Sequence, residues 1–422
     1  MISHLWDGNA PADFWQLEEA VPPHVWNAAV AEAAPLLDLQ GDVRNTSDIL
    51  WMILGEGRYG IRHLGPSPAN RMYYRIKPCV PDGLGLPLRR LLGSLQPRRY
   101  RLGWPHDDRY ARFLWAVARG LLVRGGLTHA RYRHFWPAGA TFSLVLTHDV
   151  ETARGQEYVR AVADLDEAYG FRSSFNLVPE RYRLDAALIA ELGRRGFEVG
   201  VHGLKHDGRL FDSHEEFLRR AERINHYLEE LDAVGFRAPY VMRNPTWMQA
   251  LNVAYDASFF DTDPYQPIPG GTLSLWPFLM GRFVELPYTL TQDCVLIYLR
   301  RERTATLWLR KMDVIARYRG MALLNAHPDY LRSPECRRVY EEFLRAMARR
   351  RDFWHALPRE VAHWWRQRAA GNEIAGAMWG DLDVDETGCL HVDGVPYWTQ
   401  GEEVVSRVRS RAEAERQACL PE

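Results

Sequence analysis

From Ala140 onward the apolar positions of the chain change period at regular intervals. Runs of β-prone residues at 142–147, 173–178 and 197–201 alternate with stretches whose apolar residues recur every three to four positions, as at 157–169 with Val159, Val162 and Leu165 on one side. Further helices are expected at 185–195, stopped by Gly196, at 214–231 and at 304–318. Further strands are expected at 235–237, 283–286, 295–299 and 321–325. Alternation of this kind predicts an α/β fold on a mainly parallel sheet, with a barrel as the expected closure.

The flanks read differently. Residues 1–139 are rich in Trp, Pro and Arg and lack the alternation, so they form an N-terminal extension or a small domain. Helices are expected there at 11–15, at 26–34 before Pro35, and at 107–123, where Tyr110, Phe113, Leu114, Val117 and Leu121 share one face. That aromatic stripe is read as packing surface, and 71–78 is read as a strand. The barrel core is placed at 140–332, helices completing it at 333–370, and a C-terminal appendage at 371–422. The appendage should hold a β-hairpin at 379–398 and a charged helix at about 402–415, whose mixed signs mark a solvated face.

Composition narrows the function classes. A chain of 422 residues with 46% hydrophobic and 25% charged residues is built like an ordinary globular protein. The formal net charge of −1 lacks the basic excess of a nucleic-acid binder, so no nucleic-acid partner is expected. Five scattered cysteines without C-x-x-C spacing argue against a disulfide framework or a thiolate zinc site, and fit a reducing compartment. The N-terminus shows no secretory pattern, and the most apolar helical stretch, 113–123, is short and broken by Arg119, so no transmembrane segment and a cytoplasmic location are expected. Oligomeric state is not legible.

The candidate chemistry lies at strand ends, where α/β folds place it. Asp149 and Glu151 are two apart, so on an extended strand end they point the same way, while His148 faces the other side. One carboxylate could bind a metal while the other takes a proton from its water; Asp149 could equally cap the next helix. His202 and His206 are four apart, which brings the rings together if the chain turns helically after its strand. Arg237, at the next strand end, could hold a carboxylate ionised, and His327 suits a general acid. Acidic groups at Asp256, Asp261 and Asp263 are candidates to pair with that histidine.

Taken in order, these segments resemble the NodB-homology polysaccharide deacetylases, carbohydrate esterase family four, over roughly 142–330. Thr147-His148-Asp149-Val150-Glu151 is similar to the family's first motif in a divergent D-x-E form, and His202 and His206 to its H-S/T-x-x-H motif. Arg237-Ala238-Pro239-Tyr240 is similar to the R-x-P-Y motif, and His327 stands where the last L-x-H motif belongs. The resemblance implies a distorted (β/α) barrel of seven or eight strands holding a zinc-type divalent ion. It implies Glu151, His202 and His206 as metal ligands, Asp149 as general base, His327 as general acid, Arg237 positioning Asp149, and the Tyr240 backbone amide at the oxyanion. It further implies removal of N-acetyl groups from an amino sugar or glycan precursor during polysaccharide assembly.

Three departures bear on this. Val150 replaces an adjacent Asp, so either Glu151 or Asp149 is the ligand; Gly203 replaces the usual Ser or Thr; and 325–327 is not a clean L-x-H. Relatives with a D-x-E motif include metal-free cyclic amidases of the allantoinase type, which form one alternative. A non-catalytic glycan-binding or scaffold protein on the same fold is the other.

Overall fold

The computed structural model describes residues 3–40, 43, 45–76 and 100–397. The alternation after Ala140 becomes a curled sheet of eight parallel strands: β2 (Phe142–Val150), β3 (Ser174–Leu177), β4 (Glu198–Val201), β5 (Gly235–Phe236), β6 (Tyr255–Asp256), β8 (Phe283–Glu285), β9 (Met321–Ala326) and β10 (Phe353–His355). A ninth strand, β7 (Phe278–Met280), pairs antiparallel with β8. β2 is buried along its whole length, as a central parallel strand covered on both faces must be, and lies between β3 and β9.

The sheet closes on itself. Beyond β8 the chain makes a parallel bridge from Tyr288 to Phe260, then a single one from Leu290 to Leu324 of β9. The ring β2-β3-β4-β5-β6-β8-β9 is therefore seven-membered, and β10 is an eighth parallel strand set against the start of β2. The expected distorted barrel is present, with its seam between the segment after β8 and β9.

Local chemistry places the crossover helices. Thr152 caps Ala153–Ala168, Asp185 caps Ala186–Arg194 and Ser213 caps His214–Glu230, each side chain accepting a first-turn amide. Two expected strands are helical instead. Residues 71–76 belong to a helix, Pro68–Ile76: Ser67 Oγ accepts the Asn70 amide at 3.1 Å and Pro68 opens the first turn, which outweighs the β-propensity of Tyr73 and Tyr74. The apolar run at 295–299 forms a π-helical turn, Cys294–Leu299, initiated where Asp293 accepts the Cys294 amide at 2.7 Å.

The N-terminal residues share the barrel's core. Trp15 packs against Trp115 and Tyr132, and Phe14 against Trp276. The aromatic face of Arg109–Gly125 is buried there, as its periodicity predicts. β1 (His129–Arg133) joins β11 (Trp379–Val384), β12 (Leu390–Val392) and β13 (Val395–Tyr397) in a separate antiparallel sheet, so the expected hairpin is three-stranded and completed by the N-terminal extension. The charged helix expected at about 402–415 lies outside the described residues. Among the described residues no helix is long and apolar enough to cross a membrane.

Candidate active site

Asp149 and Glu151 leave the end of β2 on the same side, as the two-residue period requires, and both approach His327 Nε2, at 4.0 and 3.9 Å. The two carboxylates have different surroundings. Asp149 Oδ1 accepts from Asn176 Nδ2 at 2.9 Å and Arg237 Nη1 at 3.1 Å, and Oδ2 accepts from Asn325 Nδ2 at 2.8 Å. Burial raises the proton affinity of Asp149, but Arg237, His202, His327 and the Asn176 bond outweigh it and hold the group well below the usual carboxylate range. Asp149 is thus a fixed, ionised carboxylate and not the cap of the following helix, a place taken by Thr152. His148, as expected, faces the other way, with Nε2 3.1 Å from Asp166 and its ring stacked on Phe175.

Glu151 is held by its backbone, not its carboxylate. Its amide donates to Asp329 Oδ2 at 2.9 Å, and the Thr152 hydroxyl donates to the other Asp329 oxygen. The Glu151 side chain, 24% exposed, lies 3.2 Å from His206 Nε2. Burial raises its proton affinity too, and His206, His327 and His202 together reverse that and keep it well below the ordinary value.

The two histidines meet by another route than a helical turn. After β4 the chain bends through left-handed backbone at Gly203 (φ 64°) and His206 (φ 51°), which brings the rings to 5.0 Å. A Cβ at Gly203 would lie 2.5 Å from the Pro239 ring, so the glycine found there is what lets this bend pack under the Arg237–Tyr240 turn. His202 Nδ1 bonds the Arg237 carbonyl at 2.9 Å, which as a donor leaves the Nε2 lone pair facing the carboxylates. Burial, partly opposed by Asp149, lowers the His202 pKa to about 4, so the ring is neutral. Of the buried His206 ring, Nδ1 lacks a hydrogen-bond partner and Nε2 meets only the Glu151 carboxylate.

Glu151, His202 and His206 can bring one ligand atom each within 4.8 Å of one another. A carboxylate, a neutral imidazole presenting its lone pair and a second imidazole whose Nε2 faces that carboxylate fit the donor set of a divalent ion of the zinc type. Two further groups of potential ligands occur among the described residues. Asp293–Cys294–His327 commits its histidine to the carboxylate, and Asp385–Cys389–His391 spends Asp385 on the Thr387 and Cys389 amides of an exposed turn.

His327 follows β9, and its partner is none of the three aspartates expected. Asp256 turns to Ser258, Asp261 pairs with Lys311, and Asp263 accepts from Gln266 and Tyr288, all within the wall of the barrel. Asp293 takes the role: Oδ1 lies 2.6 Å from His327 Nδ1 and Oδ2 accepts the His327 amide at 2.8 Å. Burial would lower the His327 pKa, yet Asp293, Glu151 and Asp149 raise it to about 9, so the ring carries its proton at neutral pH.

Arg237, fully buried after β5, donates to Asp149, Thr147 Oγ1 and the Ala257 carbonyl. Tyr240 stands in the turn that follows, with φ 59°, its ring 4.4 Å from His206 and its hydroxyl donating to the His206 carbonyl at 3.1 Å. All seven residues singled out from the sequence therefore lie around one site. Asn176, Asn325 and Asp293 were not foreseen in these roles. The two asparagines had a signal: each is a polar residue inside a buried strand, paired in register with Asp149 and Thr147 respectively.

No family model and no curated protein matches the chain. Solved structures do. A candidate polysaccharide deacetylase from Mycobacterium smegmatis is 18% identical, with 56% of this chain and 94% of that one covered and a TM-score of 0.46. The Puue allantoinase is 14% identical, with 55% and 93% covered and a TM-score of 0.47. The peptidoglycan deacetylase PdaC from Bacillus subtilis is 13% identical, with 55% and 94% covered and a TM-score of 0.36. Likeness at this level carries no chemistry from those proteins to this chain.

Proposed function

We propose that the protein is a metal-dependent amide hydrolase that removes N-acetyl groups from an amino sugar or glycan precursor. The observation that carries the reading is the convergence, at one barrel mouth, of an ion-ready Glu151–His202–His206 set, an ionised Asp149 and a protonated His327. The chemistry a zinc-type ion supplies at this position, when bound, is polarisation of the acyl carbonyl and acidification of the attacking water. Asp149 accepts the proton of that water, and Arg237, Asn176 and Asn325 fix the carboxylate so that it need not reorganise. His327, charged and oriented by Asp293, gives its proton to the amine as the C–N bond breaks. The Tyr240 turn sits beside His206, where its backbone amide is the candidate donor to the developing oxyanion. One water is consumed, and the products are acetate and a free amine.

Glu151 is assigned as the ligand over Asp149 because three donors already occupy Asp149, whereas the Glu151 carboxylate meets only histidine nitrogens. The test is acetate release from N-acetylated sugars by zinc-loaded and chelator-treated protein. Release that depends on metal is expected. Amide hydrolysis that persists without metal would replace this reading with the cyclic amidase, and stoichiometric metal without any hydrolysis would favour the glycan-binding scaffold.

A further inference from the structure

Loops at the carboxyl ends of barrel strands are ordinarily exposed, and they carry the site. Here part of that face is covered. Every residue from 255 to 266 is buried, and so is every residue from 283 to 297, where the bridges at Tyr288 and Leu290 continue the barrel wall. Over the segments that follow β5 and β6 the cover is the N-terminal extension. Glu56, buried, forms a two-pronged ion pair with Arg243 at 2.5 and 2.6 Å and accepts the Gly271 amide at 2.7 Å. Asn70 donates to the Pro267 carbonyl at 2.9 Å, Tyr100 meets Thr262 at 2.7 Å, and Trp104 packs edge-on against Tyr265 at 5.3 Å.

The cover reaches the proposed metal ligands. Tyr74 of the helix Pro68–Ile76 packs against Tyr240 at 4.5 Å, and Tyr240 packs against His206 at 4.4 Å. Among the described residues the other side of the mouth has no such roof. Glu151 keeps 24% of its side chain open, and Arg181 and Lys205, on the loops after β3 and β4, are exposed. Asp149, His202, His206 and His327 are each 6% exposed or less, so they sit at the bottom of an approach that is open on one side.

We propose that the N-terminal extension makes the site a dead end, so that the substrate is a single sugar or the terminal unit of a glycan, presented end-on, and not an internal unit of a polymer lying across the mouth. An internal unit needs an exit on both sides for its neighbours; the roof over the segments after β5 and β6 removes one of them. This rests on the deacetylase reading above for the identity of the scissile group, but the one-sided access stands on the packing alone.

The experiment uses the full, zinc-loaded chain with a uniform tetramer of N-acetylglucosamine, and mass spectrometry to locate the unit that loses its acetyl group. Loss from one end only, favoured over internal units by at least about 100-fold, is expected from a steric exclusion of this kind. Loss from internal units at comparable rates overturns the inference. A tetramer left intact speaks against the deacetylase reading, and access is then read on the cobalt-substituted protein. A change in the cobalt spectrum with acetohydroxamate but not with hydroxamate groups fixed along a dextran chain supports the dead end, and equal changes with both overturn it. Tyr74→Ala, checked for folding by circular dichroism, should raise the share of internal cleavage or of dextran-hydroxamate binding.

Discussion

The two halves of the site handle their polar atoms in opposite ways. Around Asp149, Asp293 and His327 nearly every acceptor and donor is engaged: three side-chain donors on Asp149, and a ring nitrogen and an amide on Asp293 from His327 alone. Around Glu151 and His206 the groups have little but each other: Nε2 meets the Glu151 carboxylate at 3.2 Å and the buried Nδ1 has no hydrogen-bond partner. A polar group buried without a partner costs free energy, about 1–3 kcal/mol. In the proposed reaction the well-bonded half moves protons without rearranging, and the sparsely bonded half receives the ion.

That contrast can be broken by four substitutions, in descending order of effect. His206→Ala should abolish stoichiometric metal binding and with it all activity, while costing the metal-free protein little in melting temperature because the ring's one polar contact is with Glu151; elemental analysis and calorimetry read both. A large fall in metal-free stability would mean that the ring is structural. Asp149→Asn should lower kcat by about 10²–10⁴-fold, the usual span for a general base, with metal content intact. Metal lost along with activity would show that Asp149 and Glu151 exchange roles.

Asp293→Asn should cost less, about 10–100-fold at neutral pH, since the acid is weakened in place and not removed. Its sharper signature is in the pH profile of kcat/KM. His327 acts in its protonated form, and its pKa is raised to about 9 with Asp293 as the leading favourable cause, so activity is lost as pH rises through that value. Removing the charge lowers the pKa and should move the alkaline limb to lower pH; an unmoved limb would assign it to another group. Gly203→Ser, which puts a side chain into left-handed backbone against Pro239, should destabilise the fold by roughly 1–3 kcal/mol in a denaturation experiment, with the chemistry little changed.

Strand-end chemistry made Asp149, Glu151, His202, His206, Arg237 and His327 legible, because a polar residue that closes an apolar run has few purposes there other than a cap or a site. Order along the chain then linked them. Asp293 was not legible: it stands 34 residues before its histidine, at the head of an apolar run that reads as a strand and folds as a π-helical turn. The N-terminal roof was hidden for a related reason. Its Glu56–Arg243 pair joins residues 187 apart, and its elements are too short and irregular to carry a period. The Pro68–Ile76 helix shows the local version of the same failure, since two adjacent tyrosines suggest a strand until Ser67 and Pro68 are weighed as a helix start.

The seam of the barrel has a chemical side. A bridge from Leu290 to Leu324, with hydrogen bonds from Thr289 to Met321 and Leu323, joins the segment after β8 to β9, and just beyond them that segment delivers Asp293 and the strand delivers His327. The carboxylate that charges His327 also accepts its backbone amide, so it is the next stitch after the sheet contacts. The two edges that close the cylinder also bring Asp293 to His327, and a chain that has not drawn them together holds an imidazole without its charge.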